Sequence, residues 1–566
     1  MSYSPDRKKA RITSNNADTT KNHVSSTNRQ SDIIDLTNDD ETAPNSPPFQ
    51  LLRTRGIPSW GNQGPLGFDM QQHVAGNILF AFVSNYMIDI GWLAHTFPDL
   101  LFSDFLLIVH GQQGDTEGMK NQLRMLGVQE EAMHVFQPPV PPYGTHHSKA
   151  FFLQYSTGIR IIIHTANLLY CDVNNKSQSV YMQDFPLKDA TSQVTGSEFE
   201  QELLQYVDAL GLVLRVRERL KDIIKMHDYS SARCHLVASV PSKPFEFRQI
   251  DRYGHKRLGA VLGAYEFDKK FASAPILAQF SSIGNLSPAF LGSITESLSA
   301  GYYYTEEQKK VALGSPSDGH VRLVWPSVAQ VRDSLEGWFG GGSIPGYYDR
   351  VMKPMLLDGG YYHVWGGHST GRQRAMPHMK TYLRFHQDSK EIAWLCLGSH
   401  NFSKAAWGEV VNSKKYNARL CRILSYELGV VFVPSKEVDY RKHKHFGFSC
   451  TSSTSPKPQC DIDRVEFHPW KRNGLQEERI VTTDQGIRVL ECPMPVAFDL
   501  DSMQYPGHPT DGAYDTMPWH ISKDPQAGFR GLDALGNPFP GRGSYFGVLQ
   551  RDTPEHHWQH LFSDSN

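Results

Sequence analysis

Short apolar runs closed by glycine or a polar turn recur along the chain, and helix-spaced stretches lie between them. Phe105 to Val109 is continuously apolar and ends at His110-Gly111, which predicts a strand buried in a sheet. Ile159 to Ile163, Tyr426 to Phe432 and Arg322 to Pro326 read the same way, and Ala278 to Gly284 reads as a strand turning into a small-residue loop. Apolar residues at Phe80, Val83, Met87 and Ile88 predict a helix from Phe80 to Trp92. Further helices are predicted over Ser197 to Gly211, Leu214 to His227 and Val328 to Leu335. Strands alternating with helices imply an α/β sandwich with a mixed or parallel sheet. Gly337 to Gly346 reads as irregular, residues 450 to 460 as a Ser/Pro loop, and Pro518-Trp519 as a docked terminal segment.

The first 48 residues break this pattern. They are rich in Ser, Thr, Asn and Asp and almost without aromatics, so they are expected to be a disordered tail. Two short features sit in it. Arg7-Lys8-Lys9-Ala10-Arg11 is a basic cluster of the kind that serves nuclear import, or simply a solvated charge cluster. Ile33, Ile34 and Leu36 stand among acids, a pattern similar to a SUMO-interacting segment that adds a strand to a sheet edge. A chance apolar cluster is the alternative. The globular part divides into a half from 49 to 243 and a half from 244 to 566.

The chain has 566 residues, 39% hydrophobic, and a formal net charge of −2. That length suits two or more domains. Near-neutral charge argues against a protein that coats nucleic acid over its whole surface, while leaving room for a local basic groove. Seven cysteines, widely spaced and without a C-x-x-C pair, signal neither a disulfide framework nor a zinc knuckle, and fit a reducing compartment. The N-terminus lacks a secretory signal, and no apolar run is long enough to span a bilayer, so no membrane partner is expected.

One local grammar occurs twice. His147-Ser148-Lys149 is followed by the apolar run Gly158 to Ile163 and then Asn167; His378-Met379-Lys380 is followed by Ile392 to Leu397 and then Asn401. Residues two apart on an extended chain share a face, so each His and Lys aim into one space. A single H-x-K occurs by chance in many proteins, but its repetition with the same flanks is a signal in itself. Two imidazoles, two cations and two amides around one pocket suit a phosphodiester passing through a pentacoordinate state. The bland alternative is a pair of ordinary hairpins in an α/β sheet.

These paired motifs resemble the H-K-N motifs of the tyrosyl-DNA phosphodiesterases, a branch of the phospholipase D superfamily. The flanks Pro142-Tyr143-Gly144-Thr145-His146-His147, Ala375-Met376-Pro377-His378-Met379-Lys380-Thr381-Tyr382, Ser403-Lys404-Ala405-Ala406-Trp407-Gly408 and Ser425-Tyr426-Glu427-Leu428-Gly429 extend the likeness over about Phe80 to Trp519. The segment 440 to 480 looks particular to this chain. The wider superfamily carries an Asp a few positions after each Lys; here Gln154 and Tyr155 follow Lys149, and the nearest carboxylate after Lys380 is Asp388. That departure is the mark of the tyrosyl-DNA branch.

The resemblance implies two pseudo-symmetric α/β sandwich halves of phospholipase D type with mixed sheets and one active site between them. It implies His147 as nucleophile through a covalent phosphohistidine, and His378 as acid and then base. Lys149, Lys380, Asn167 and Asn401 would hold the phosphate oxygens, and Gln178 and Glu427 would orient the imidazoles. The expected substrate is a tyrosine or other blocking adduct on a DNA 3′ phosphate, with nuclear location, a monomeric state and no cofactor or metal. His556, His557 and His560 are expected to be solvated rather than metal-binding. Tyr143 is a candidate for stacking on a base, and Ser281 and Ser282 for backbone phosphates. A packing aromatic and a plain turn explain these three nearly as well. The Gly340-Gly341-Gly342 run would let a DNA strand approach closely, or serve as a flexible loop. Two rival functions stand beside this one: a general phospholipase D-type nuclease or lipase, and a non-catalytic module that binds DNA ends or adducts.

Overall fold

The computed structural model describes residues 49–189, 196–242, 250–301, 321–414, 417–443, 462–506, 514–521 and 532–539. The tail motifs, the Ser/Pro loop at 450 to 460 and His556, His557 and His560 lie outside the described residues.

Seven strands form the first sheet: β1 (Gln50–Leu51), β2 (Phe80–Asn85), β3 (Phe105–His110), β4 (Met133–Phe136), β5 (Ala150–Gln154), β6 (Gly158–His164) and β7 (Ser179–Pro186). Their order is β1-β7-β6-β5-β2-β3-β4. The second sheet uses β8 (His235–Ser239), β9 (Ile276–Gln279), β10 (Val321–Trp325), β11 (Tyr362–Val364), β12 (Thr381–His386), β13 (Glu391–Gly398) and, beyond a separate hairpin of β14 (Glu409–Ser413) with β15 (Ala418–Arg422), β16 (Glu427–Phe432). Read from β8, it runs β8-β16-β13-β12-β9-β10-β11. The two orders are the same. The sense of pairing repeats as well: β2–β3–β4 and β9–β10–β11 are parallel, and the remaining neighbours are antiparallel. The molecule is therefore a duplicated unit with mixed sheets. An added ribbon of β17 (Arg464–Pro469), β18 (Arg479–Thr482) and β19 (Arg488–Met494) joins β13 through the Ile392–Phe467 pair.

The expected division at 243/244 falls after β8, yet β8 opens the second repeat just as β1 opens the first. The Pro241-Ser242-Lys243-Pro244 turn signal marks the end of a strand there.

Strand residues alternate between cores. Phe152 joins the core shared by the two sheets, while Phe151 and Leu153 face a core on the outer side of the first sheet. The shared core also holds Leu395, Leu397 and Val430 of the second sheet, with Leu203 and Leu220 from the helices Glu198–Ala209 and Leu214–Lys225. Both sheets are buried on both faces, which is why their strands read as continuous apolar runs.

This explains one error. Phe80 to Asn85 is strand β2, fully buried, and a helix starts only at Ile90, capped by Asp89, whose carboxylate accepts from Trp92 N at 3.0 Å. A central strand with no polar face carries no period-two alternation, so its apolar positions match helical spacing by chance. The Gly340 run is another correction. It forms a buried 3₁₀ segment, Gly337–Ser343, and a Cβ on Gly340 would lie 2.8 Å from Ser334 Oγ and 3.0 Å from Met376 Cγ. It packs against Met376, just ahead of the second motif, rather than forming an irregular loop. Trp519 docks as expected: Trp325 Nε1 donates to its carbonyl at 2.8 Å, and its own Nε1 donates to Ile344 O at 3.0 Å.

Arg372 straps the halves together. Its buried guanidinium donates to the carbonyls of Leu52, Gly61 and Leu66 across the interface. Burial without a carboxylate partner pulls it down to about 9.

Candidate active site

Each H-x-K motif is the extended lead-in to the same strand of its repeat, β5 or β12. Each Asn follows the next strand, β6 or β13. Gln178 and Glu427 stand at the start of the strand after that, β7 or β16. The duplication thus presents two equal sets of groups at equivalent sheet ends.

The two lead-ins cross. The first pairs with the segment before Glu427: His147 N donates to Tyr426 O at 2.9 Å, and Tyr426 N to Thr145 O at 2.9 Å. The second pairs with the segment before Gln178: His378 N donates to Ser177 O at 3.1 Å, and Ser177 N to Met376 O at 2.9 Å. Each half therefore delivers its imidazole to a side chain of the other half. Glu427 Oε2 lies 2.9 Å from His147 Nδ1, and Gln178 Nε2 lies 3.0 Å from His378 Nδ1. The distant motifs converge on one site.

The surroundings of the two Nδ1 atoms differ in kind. His147 Nδ1 faces two acceptors, Glu427 Oε2 and the Ser399 carbonyl at 3.0 Å, so it carries the hydrogen and leaves Nε2 as a lone pair. Gln178 is fixed the other way round. Ser179 N donates to Thr165 Oγ1 at 2.9 Å, and Thr165 Oγ1 donates to Gln178 Oε1 at 2.8 Å. Gln178 Nε2 donates one hydrogen to Asp172 O at 3.0 Å and presents the other to His378 Nδ1. Neutral His378 then carries its hydrogen on Nε2.

Lys149 and Lys380 are fully buried, and each Nζ donates back to the carbonyl of its own motif's histidine. Burial pulls Lys149 down to about 7 against the raising pull of Glu427 and Asp172. Lys380 is held well below its ordinary range by burial and by Lys149. Both imidazoles are also held well below theirs, His147 by burial, Lys149 and Lys380, and His378 by burial, Lys380, Lys149, Lys176 and His147. Burial pushes Glu427 up to about 7, opposed by His400, Ser399, Lys149 and Lys380. A cationic cage that resists its own charge is built to receive an anion, which relieves the like-charge repulsion.

The asparagines differ too. Asn401 Oδ1 accepts from Ser281 N, Ser282 N at 3.0 Å and the Ser281 hydroxyl, which turns its NH₂ outward from that loop. The loop expected to meet phosphates thus spends both N–H groups and one hydroxyl on positioning Asn401. Asn167 Oδ1 has no hydrogen-bond partner among the described residues, and its main-chain N–H donates to Asp172 Oδ2 at 3.1 Å. Tyr143 projects from the turn before His147, 93% exposed, with φ at +67°.

Asp172 was not among the expected residues. It sits in the short helix Tyr170–Asn174, 3.4 Å from His378 Nδ1 and 3.3 Å from Lys176 Nζ. Lys176 also donates to Glu336 of the second half at 2.9 Å. The sequence carried one signal, a carboxylate five positions after Asn167, but no repeat of it follows Asn401. Asp388 is exposed in the turn between β12 and β13, and Tyr155 donates to Ala75 O away from the site. No cluster of metal-ligating side chains occurs among the described residues.

Comparison with known proteins agrees with this geometry. A tyrosyl-DNA phosphodiesterase family model matches residues 50–505. The chain is 36% identical over 503 residues to tyrosyl-DNA phosphodiesterase 1 of Arabidopsis thaliana, covering 87% of this chain and 76% of that protein. It is 31% identical over 363 residues to a probable tyrosyl-DNA phosphodiesterase of Caenorhabditis elegans, covering 62% of this chain and 76% of that one. The crystal structure of the yeast tyrosyl-DNA phosphodiesterase shares the fold, with a TM-score of 0.55 at 15% identity over 81% of this chain and 97% of the yeast chain. The chain belongs to the tyrosyl-DNA phosphodiesterase family.

Proposed function

We propose that this protein hydrolyses the bond between a tyrosine and a DNA 3′ phosphate, and that it does so through a phosphohistidine on His147. The opposed hydrogen-bonding surroundings of the two Nδ1 atoms carry this reading. His147 offers an Nε2 lone pair to phosphorus, and its Nδ1–H is matched by a carboxylate that stabilises the cation formed on attack. His378 points Nε2 toward the leaving oxygen, gives it a proton as the imidazolium, and then takes a proton from water. A tyrosine oxygen leaves as a phenolate of pKa about 10, far more readily than a sugar alkoxide, so the adduct bond is the one that breaks. Lys149, Lys380, Asn167 and Asn401 bind the non-bridging oxygens, and donors preset for developing charge are usually the largest catalytic contribution. Other 3′-blocking adducts fit the same route when their leaving groups are comparable.

Tyr143 is well exposed for stacking on a base or on the tyrosine adduct. A nuclear location, action as a monomer and a SUMO-binding role for Ile33, Ile34 and Leu36 complete the reading.

A labelled oligonucleotide ending in 3′-phosphotyrosine, run beside phosphatidylcholine, tests it. Tyrosine release from the DNA with intact lipid is expected; lipid hydrolysis alone would reject the assignment. His147→Ala should abolish release, and His378→Asn should slow it about 10²- to 10⁴-fold while a protein–DNA adduct accumulates on a denaturing gel. An active His147→Ala protein, or no adduct with His378→Asn, removes the covalent route.

A further inference from the structure

Gln178 can satisfy only one of the states His378 must pass through. Its amide is pinned by Thr165 and by the Asp172 carbonyl, so it shows His378 Nδ1 a hydrogen and never a lone pair. That holds the neutral ring with its hydrogen on Nε2. A neutral ring cannot protonate a phenolate without becoming an imidazolate, a stronger base than the phenolate itself. The acid must therefore be the imidazolium, and its Nδ1–H needs an acceptor. Asp172 Oδ2 lies 3.4 Å from Nδ1. The largest charge effects on His378 come from Lys380, Lys149, Lys176 and His147, all of which disfavour the imidazolium.

We infer that Asp172 accepts the Nδ1 proton of His378 throughout the reaction, and so makes this ring usable as an acid and then as a base. The inference rests on the phosphodiesterase reading above. In the first step a bond forms between His147 Nε2 and phosphorus. The bond from phosphorus to the tyrosine oxygen breaks, its electron pair leaves with that oxygen, and the oxygen takes the Nε2 proton of His378. His378 is then neutral, with its remaining hydrogen on Nδ1 bound to Asp172. In the second step a water oxygen bonds to phosphorus and passes a proton to His378 Nε2. The nitrogen–phosphorus bond breaks, and its pair returns to His147. A small ring movement, from the Gln178 hydrogen toward the carboxylate, separates the resting and working states.

Asp172 is fixed for this task. Asn167 N donates to Oδ2 at 3.1 Å, and Lys176, shared with Glu336, lies 3.3 Å from Oδ1. The carboxylate that the wider superfamily supplies after its lysine is absent from that position, and one arrives here from the short helix after Asn167. Asp172 is a positioning residue, since it acts through His378 and does not touch the reacting atoms.

The test uses Asp172→Asn in the full chain, with two oligonucleotides that differ only in the 3′ leaving group. Tyrosine needs a proton to leave, and nitrophenol scarcely does. With the tyrosyl substrate, kcat/KM should fall about 10²-fold, as expected for losing proton donation. Nitrophenolate release in the first turnover should stay near the parent rate, and the phosphohistidine should then persist longer because its hydrolysis needs the base. Equal losses on both substrates, or no loss on either, would overturn the inference. A parent protein that releases neither leaving group would instead sink the underlying reading. Should the variant not fold, the unsubstituted protein with nitrogen-labelled histidine gives a second readout. With vanadate bound, His378 Nδ1 should carry a hydrogen, assigned by its loss in His378→Asn; a bare Nδ1 overturns the proposal.

Discussion

The two halves present the same strand order and the same groups at the same sheet ends, yet they are not chemically equivalent. In the first, an imidazole leans on a carboxylate and a carbonyl; in the second, on an amide hydrogen with a carboxylate slightly farther away. Duplication supplies symmetric placement, and single residues at one strand start, Glu427 against Gln178, break the symmetry. The difference teaches how one repeat can hold a nucleophile and the other an acid. At a given pH two identical imidazoles would tend toward the same protonation state, and the reaction needs opposite ones.

The largest expected effect comes from erasing that difference at its sharper side. In Glu427→Gln the carboxylate that balances the cation on His147 is gone, although the Ser399 carbonyl still accepts from Nδ1. Loss of such an outer partner typically costs about 10- to 100-fold, and here it should fall on kcat, measured with the 3′-phosphotyrosyl oligonucleotide. A variant within twofold of the parent would mean that the carbonyl alone sets the ring, and the contrast between the halves would lose its meaning.

The lysines give a second, smaller effect. Lys149, lowered to about 7 by burial, is charged below that pH and neutral above it, and Lys380 is held well below its ordinary range by burial and by Lys149. In the free protein, kcat/KM should therefore fall above pH about 7, by about tenfold per unit. Glu427, raised to about 7 by burial, is a carboxylate only on the alkaline side, so the optimum should be narrow. A bound phosphodiester favours both ammonium groups, so the alkaline limb should move upward in kcat relative to kcat/KM. Coincident limbs in the two profiles would show that the cage does not feel its guest.

Much of this architecture was legible because duplication repeats what a single motif leaves ambiguous. The histidines, lysines and asparagines stand out through the H-x-K spacing and the apolar strand that follows. Gln178 and Glu427 were legible only through the family resemblance, because no spacing rule distinguishes them from neighbours. Asp172 was missed for a physical reason: it serves the other half, so its partner lies far away in sequence, and it has no twin after Asn401. Strand β2 was misread because burial on both faces erases the alternation that separates strand from helix. The second repeat's first strand was assigned to the wrong half because its pairing with β16 is invisible until the chain is folded.

The approaches to the two motifs offer the finest contrast. Ahead of His378, Ala375 and Met376 are buried. Ahead of His147, the turn is anchored on both sides of Tyr143: Gly144 N donates to Pro141 O at 2.9 Å, and Thr145 N donates to Ser425 Oγ at 3.2 Å. Gly144 is also pressed to Leu424, where a Cβ would lie 2.0 Å from the carbonyl oxygen. Tyr143 is left outside, 93% exposed and in the left-handed region at φ +67°, a conformation that costs a non-glycine residue about 1 kcal/mol or more. A ring that gains nothing from packing and strains its backbone is expected to gain from a guest. Tyr143→Gly separates the two contributions. Relief of the strain and the added freedom of glycine in the unfolded chain nearly cancel, so the melting temperature should barely move. KM for the oligonucleotide should rise about fivefold, the value of about 1 kcal/mol of stacking, with kcat unchanged. If KM stays the same, the tyrosine serves only the turn, and the two approaches differ in packing alone.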